Sequence, residues 1–308
     1  MALNVTGIGT TWVNENSQAL ISKMVLEIES TKYFTLMPGV KYKEQVKKLS
    51  TQSPLVAAAC GTPTTTGTTY LTDKDIEVKG FQTFEQLCPL DLDKTSLSLS
   101  LKPGWNEDLP FEAHYAELKV AEIQKQIEQK LWGTTAAATN GIDGLLYLIH
   151  ADIAASGDTH ERSAFSWSGL TITAAQYQAE VFAMANTLPA EIQNLTDLTL
   201  FVGHEISRKM TQAFVIAGNY HIDMTSNDGN GSWIFPGTNI TVQPVNGLNS
   251  TNQVVMGPAS NFIYATDLMN EEEKFKLWWS EDDQYVKFLV HFKFGTSFYW
   301  GDYIVISY

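Results

Sequence analysis

Apolar and polar positions follow different spacings along the chain, and each spacing predicts a different element. Near the start, Ile21, Met24, Val25 and Ile28 recur at helical intervals in "SQALISKMVLEIES", which predicts a short amphipathic helix. Its apolar surface is too small to fold alone, and "TTWVNENSQAL" before it is polar and Thr/Asn-rich. Residues 1–40 therefore read as an arm that lies on something else. From Lys41 to Gly80 the character changes. "KYKEQVKKLS" holds four lysines in eight residues, "ACGTPTTTGTTY" is built from Thr, Gly and Pro, and "YLTDKDIEVKGF" resumes as a strand. Turn formers mixed with β-branched residues predict a long projecting hairpin with a Thr-rich tip. A hairpin of that length without its own core packs on a neighbouring molecule or is disordered.

"SLSLSLK" then alternates strictly, with Leu97, Leu99 and Leu101 on one face of a half-buried strand. Asp108 as N-cap, Pro110 in the first turn and Glu112 at the positive end open a helix that Gly133 closes. Phe111, Tyr115, Leu118, Ile123, Ile127 and Leu131 give it one narrow apolar stripe among Glu, Lys and Gln. Such a rod, about 30 Å long at roughly 1.5 Å per residue, rests on a sheet as a beam with its other side open. Residues 140–260 read as a compact α/β unit: helices in "TAAQYQAEVFAMANTLP" and "HEISRKMTQAFVIAG", strands in "DLTLFVG", "TNITVQPV" and "NQVVMGP". At the end, "KFKLWWS", the acidic turn "EDDQ" and "YVKFLVHFKF" form a hairpin, and "GDYIVISY" is a final strand. No internal repeat is present.

Composition narrows the function. The net charge of −14 argues against a sequence-reading DNA binder, which needs a basic footprint. Cys60 and Cys88 make no ligand set and no disulfide scaffold. The start lacks the basic-then-apolar pattern of a signal peptide, and "LLYLIHADIAA" is too short and polar to span a membrane. The chain reads as soluble and not secreted.

Candidate chemistry is thin. His204 and Glu205 in "FVGHEISRKM" look like the start of a zinc-peptidase helix, but the second ligand position holds Arg208, and a guanidinium does not ligate. Ile206, Met210, Ala213, Phe214 and Ala217 instead make a buried face, with Glu205 and Lys209 as an i,i+4 pair. Glu271–Glu273 and Glu281–Asp283 read as a solvated hairpin and its turn, and His114, His150, His160, His221 and His291 are scattered. The lysines Lys41, Lys43, Lys47 and Lys48 fit phosphate or a carboxylate-rich neighbour. No hydrolase elbow, phosphate loop or dinucleotide fingerprint occurs. No catalytic, cofactor-binding or metal residue is assigned, and no enzyme activity is expected.

Three stretches carry a resemblance. In "TTYLTDKDIEVKGFQTFEQLCPLDLDKTSLSL", Thr72, Asp73, Lys74, Ile76 and Val78 lead to Glu85, Leu87, Cys88, Asp91 and Leu92; "EIQKQIEQKLWGT" precedes "GIDGLL"; and "LPAEIQNLTDLTLFVGHEISRKM" joins a strand to a helix. In this order they resemble the hairpin return, the end of the spine helix and the axial domain of tailed-bacteriophage major capsid proteins, the Hong Kong 97-type (HK-97) fold. The resemblance covers nearly the whole chain. It implies an α+β fold with an N-terminal arm (1–40), an extended β-hairpin loop (41–88) and a peripheral domain (89–139 and 261–308) whose spine helix, at about 112–131, lies on a sheet. A compact α/β axial domain fills 140–260, and the chain returns to the peripheral sheet at its end.

The function so implied is structural: hexamers and pentamers of an icosahedral shell around double-stranded DNA. Partners are then other copies of itself, a portal, decoration proteins and packaged DNA without sequence-specific contact, with no membrane; the location is the virion, assembled in the host cytoplasm. Many family members begin with a helical scaffolding segment. Here the chain goes from Met1 straight into the arm, so scaffolding is expected to be a separate protein or dispensable. Lys74 and Lys79 lie in the loop, but nothing identifies a covalent cross-link. The alternatives are an encapsulin-like nanocompartment shell on the same fold, and a metal-dependent hydrolase around His204 and Glu205.

Overall fold

The computed structural model describes residues 20–21, 23–26, 28–52, 55, 65, 67–88, 111–155, 157–167, 169, 172–218, 231–267 and 274–308. The predicted strand at Leu97–Leu101, the N-cap at Asp108 and Pro110, most of the Thr-rich tip, Cys60, His221 and Glu271–Glu273 lie outside them, as do the side chains of Phe111, Glu112 and His114.

Two sheets and one isolated strand pair organise the described residues. Strand β1 (Thr35–Pro38) runs parallel to β10 (Phe262–Thr266), which pairs antiparallel with the C-terminal half of β12 (Tyr285–Phe298). The N-terminal half of β12 lies between β11 (Lys274–Ser280) and β4 (Lys79–Leu87). Alternation sends Val286, Phe288, Val290, Phe292 and Phe294 of β12 to one buried face. Along that face Phe81 stacks on Phe294 at 4.8 Å and on Phe292 at 6.0 Å. Where the hairpin rejoins the sheet, a Cβ on Gly295 would lie 2.1 Å from the Glu77 carbonyl oxygen, so only glycine permits that approach.

Helix α1 (Phe111–Leu131) covers this sheet as expected, keeping Tyr115, Ile123, Ile127 and Leu131 of the predicted stripe and leaving out Leu118. Ala116, Val120, Ile123, Ile127 and Leu131 are buried, whereas the predicted Leu118 is 57% exposed. Small Ala116 and branched Val120 fit the closely packed side, and the longer leucine is left outside. The arm helix, residues 20–21 and 23–26, joins the same core through Leu20, Ile21, Met24 and Val25, with Ile28 just beyond it. The expected partner of the arm is thus the core around α1. Gln124 Nε2 also donates to the Lys23 carbonyl at 2.7 Å.

The second sheet has the order β5-β13-β9-β6-β8-β7, from His160–Arg162, Val305–Ser307, Val254–Pro258, Leu198–Gly203, Thr241–Val245 and Trp233–Ile234. Helix α2 (Leu145–Ala154) packs into the first core, while α3 (Ala174–Thr187) and α4 (His204–Ile216) cover the second sheet through Tyr177, Val181, Met184, Met210 and Phe214. A capping box starts α3: Thr173 Oγ1 accepts from Gln176 N at 3.4 Å, and Thr173 N donates to Gln176 Oε1 at 2.8 Å. One expectation needs correcting here. The final strand does not return to the sheet under α1; Val305–Ser307 pairs with Val254–Met256 and with β5 in the second sheet. Buried Glu180 secures it, accepting from Ser307 Oγ at 3.1 Å and from Arg162 Nε and Nη2 at 2.9 and 3.1 Å.

Candidate assembly surfaces and the arm junction

The isolated pair is β2 (Lys43–Gln52) with β3 (Thr68–Glu77), in register from Lys43 opposite Glu77 to Gln52 opposite Thr68. Its two faces differ. Ile76 packs with Val40, Val78, Ile263 and Ala265 beside partly buried Val46, and Lys74 Nζ lies 3.0 Å above the Phe298 ring. That face holds the base of the hairpin on the body. The other carries Lys43, Lys47 and Leu49 across from Glu77, Asp73 and Leu71. Lys43 Nζ is 2.7 Å from Asp75 Oδ2, and this bond holds the ammonium pKa above its ordinary value. Of the lysine cluster, Lys43 thus finds a carboxylate on the hairpin's own second strand, and the Lys48 side chain lies outside the described residues. Beyond these charged rungs, Leu49 and Leu71 face each other and are each 59% exposed. Burying such a pair against another surface gains about 25 cal/mol per Å², so the strand pair presents an adhesive end on a charged stem.

A second constellation lies where arm, α1 and α4 meet. Glu29 Oε2 accepts from Asn246 N at 2.9 Å, and its Oε1 is 3.2 Å from His204 Nε2. Ser30 donates from its amide to Glu128 Oε2 at 3.3 Å and from its hydroxyl to Glu128 Oε1. Trp132 Nε1 lies 2.8 Å from Ser30 Oγ and 3.1 Å from Glu128 Oε1. Glu128 is buried, at 2% exposure. Burial pushes its pKa up to about 7 against the pull of the Ser30 bonds, and the charge on Glu29 raises it further. Burial also works against the charge of Glu29, but the bonds from His204 and Asn246 outweigh it and lower that pKa. His204 is raised by its bond to Glu29, with burial and Arg208 opposing.

This geometry separates the two residues of the peptidase-like motif. His204 is tied to the arm, whereas Glu205 faces outward and pairs with Lys209 at 2.9 Å. Asn249 Oδ1 accepts from His204 N at 2.8 Å and caps α4. Of the buried face read from the sequence, Ile206, Met210 and Phe214 are buried and Ala213 partly so, whereas Ala217, at the C-cap where α4 ends, is exposed. His150 lies 3.2 Å from Gln253 Oε1, and His160 and His291 sit apart in β5 and β12. Cys88 is a free thiol. Glu281–Asp283 form the β11–β12 turn, where Asp283 pairs with Lys287. Lys79 is 3.6 Å from Glu77. Among the described residues no three His, Cys, Asp or Glu side chains are grouped to hold a metal, and no helix is long and apolar enough to cross a membrane. The Glu29–Glu128–His204 grouping had no sequence signal beyond a carboxylate four residues before Trp132, beside the apolar stripe.

Neither protein-family models nor curated proteins match this sequence. Solved structures do match. A chain of the satellite phage P4 procapsid aligns over 94% of this chain and 90% of its own, at TM-score 0.58 and 11% identity. The capsid of cyanophage P-SCSP1u aligns over 90% and 86%, at 0.56 and 10% identity. A virus-like particle from Pyrococcus furiosus aligns over 96% and 98%, at 0.52 and 10% identity. With a long helix on one mixed sheet and a second α/β sheet beside it, the chain has the Hong Kong 97-type fold seen in these phage capsid structures.

Proposed function

We propose that this chain is a major capsid subunit, a structural virion protein that assembles as hexamers and pentamers into an icosahedral shell around double-stranded DNA. The observation that carries the reading is likeness in fold to shell-forming chains along nearly the whole length, 94% of it for the P4 procapsid chain. The exposed Leu49–Leu71 pair on a strand pair without its own core supports it, because a shell subunit needs surfaces that only other copies cover. Many weak contacts per copy make a closed shell durable through avidity. The net charge of −14 suits a wall along which packaged DNA slides. A portal, a separate scaffolding protein and decoration proteins complete the partner set, and the place of action is the virion, assembled in the host cytoplasm. The 96% coverage by the virus-like particle favours a second reading, a nanocompartment shell with other contents. A hydrolase at His204 and Glu205 is not favoured, since the two side chains serve separate ion pairs.

Light scattering on purified protein, followed by negative-stain microscopy, tests the proposal. Closed particles, or rings of five or six, are expected, and nucleic acid inside distinguishes the first reading from the second. A monodisperse monomer under every salt and crowding condition, with and without a co-expressed scaffold, overturns both.

A further inference from the structure

The arm is held by titratable groups from elements far apart in sequence. Glu29 comes from the arm, Glu128 from the last turn of α1 and His204 from the first turn of α4; Glu29 pairs with His204, the adjacent Ser30 bonds Glu128 together with Trp132, and the Glu29–Ser30 peptide joins the two groups. We propose that Glu29, Glu128 and His204 form a proton-operated latch that fixes the arm to the spine helix and axial domain at acidic pH and loosens as pH rises to neutrality and beyond. The inference concerns the single chain and does not depend on which shell it builds.

Charge counting gives the direction. With Glu128 protonated and His204 charged, the cluster holds one carboxylate against one imidazolium. At alkaline pH both groups lose a proton, leaving two carboxylates and no imidazolium between a buried Glu128 and a partly exposed Glu29, where the like charges repel. The surroundings compensate only weakly, because the cations nearby are exposed and screened by solvent. Arg208 on α4 is exposed and opposes the His204 charge; Lys125 on α1 lines an open cavity of about 390 Å³ beside the cluster; the 246–248 turn brings no titratable side chain, only backbone groups such as the Asn246 amide and the close-packed Gly247.

Two of the three groups loosen the latch as pH rises and one loosens it as pH falls. Glu128 has a raised pKa, so its contribution is fully present below the unfolded value and lost as pH rises through about 7. His204 is also raised, and its contribution is present below its ordinary value of 6.5 and lost as pH rises through the higher one. Glu29 is lowered, so its contribution is present above 4.5 and lost as pH falls through the lower value. The latch is therefore tightest near 4.5, weakens as Glu128 ionises towards about 7, and weakens further above 6.5 as His204 loses its proton.

Hydrogen exchange read by mass spectrometry at pH 6.0 and 8.5, corrected for intrinsic rates, tests it on the full chain. Peptides covering residues 20–35 should lose protection by about tenfold, the equivalent of one pKa unit, while peptides from α3 keep theirs. Glu128→Gln, a neutral isostere, should retain most of the arm's protection at pH 8.5. His204→Gln should lower it at pH 6.0 towards the wild-type alkaline level. Equal wild-type protection at both pH values, undiminished pH dependence in Glu128→Gln, or parallel loss in α3 overturns the latch.

Discussion

Replacing Phe34 with alanine should remove the pin that fastens the arm to the rest of the molecule. The ring is buried and meets three others: Trp132 at 5.7 Å, Phe201 at 5.7 Å and Phe262 at 5.3 Å. Those rings belong to the end of the spine helix, to β6 and to β10, so one side chain joins arm, beam and both sheets. Truncating a buried phenylalanine costs about 3–5 kcal/mol, and each lost ring pair carries roughly 1 kcal/mol of that. The three pairs place Phe34→Ala near the middle of the range, at about 4 kcal/mol. Urea unfolding of the unassembled chain, followed by tryptophan fluorescence, measures it, because buried Trp132 reports the loss directly. Phe84→Ala is the control: Phe84 is half exposed on the outer side of β4 and should change stability by less than about 1 kcal/mol. A Phe34→Ala cost below about 1.5 kcal/mol would mean that the arm docks on a finished core instead of completing it.

Three further variants probe other contacts. Leu49→Asp together with Leu71→Asp should leave the unfolding midpoint of the subunit within about 0.5 kcal/mol, since both are exposed, yet abolish large particles in light scattering; undiminished particle yield would remove the hairpin's end from assembly. Gly247→Ala would place a Cβ 2.2 Å from Trp132 Cδ1 and 2.6 Å from the Glu128 carbonyl, so a loss of about 2 kcal/mol is expected in urea unfolding, and neutrality would refute that contact. Glu180→Ala strands Arg162 and Ser307; because Arg162 is about a third exposed, the cost is discounted from a fully buried pair to about 2 kcal/mol, read as faster exchange in peptides of β13.

Local patterns carried much of this fold. The arm stripe Ile21, Met24, Val25 and Ile28, the buried face of α4 and the β11–β12 hairpin are each set by residues within a few positions of one another. What escaped is set by distant residues. The stripe of α1 depends on what packs on it, and the arm core and sheet select Ala116 and Val120 over Leu118. A three-residue strand such as Val305–Ser307 shows its period but not its partners, so its sheet was misassigned. His204 was noticed for a metal chemistry its neighbours do not complete. Its contact is Glu29, 175 residues away, which no spacing rule reaches.

The same contrast separates folding from assembly. A segment that looks like a loose arm supplies Met24, Val25, Ile28 and Phe34 to the main core, so its removal should unfold the subunit before it affects any neighbour. The hairpin does the reverse: among its described residues the base is buried, while Leu49 and Leu71 further out are each 59% exposed. Phe34→Ala and the Leu49/Leu71 pair should therefore have opposite phenotypes, one losing stability and the other losing only association. If both lost stability, the strand pair would belong to the subunit's own core. If Phe34→Ala lost assembly alone, the arm would be an element exchanged between copies. The buried Phe34–Trp132–Phe262 cluster argues against that exchange, because releasing the arm would expose the core it completes.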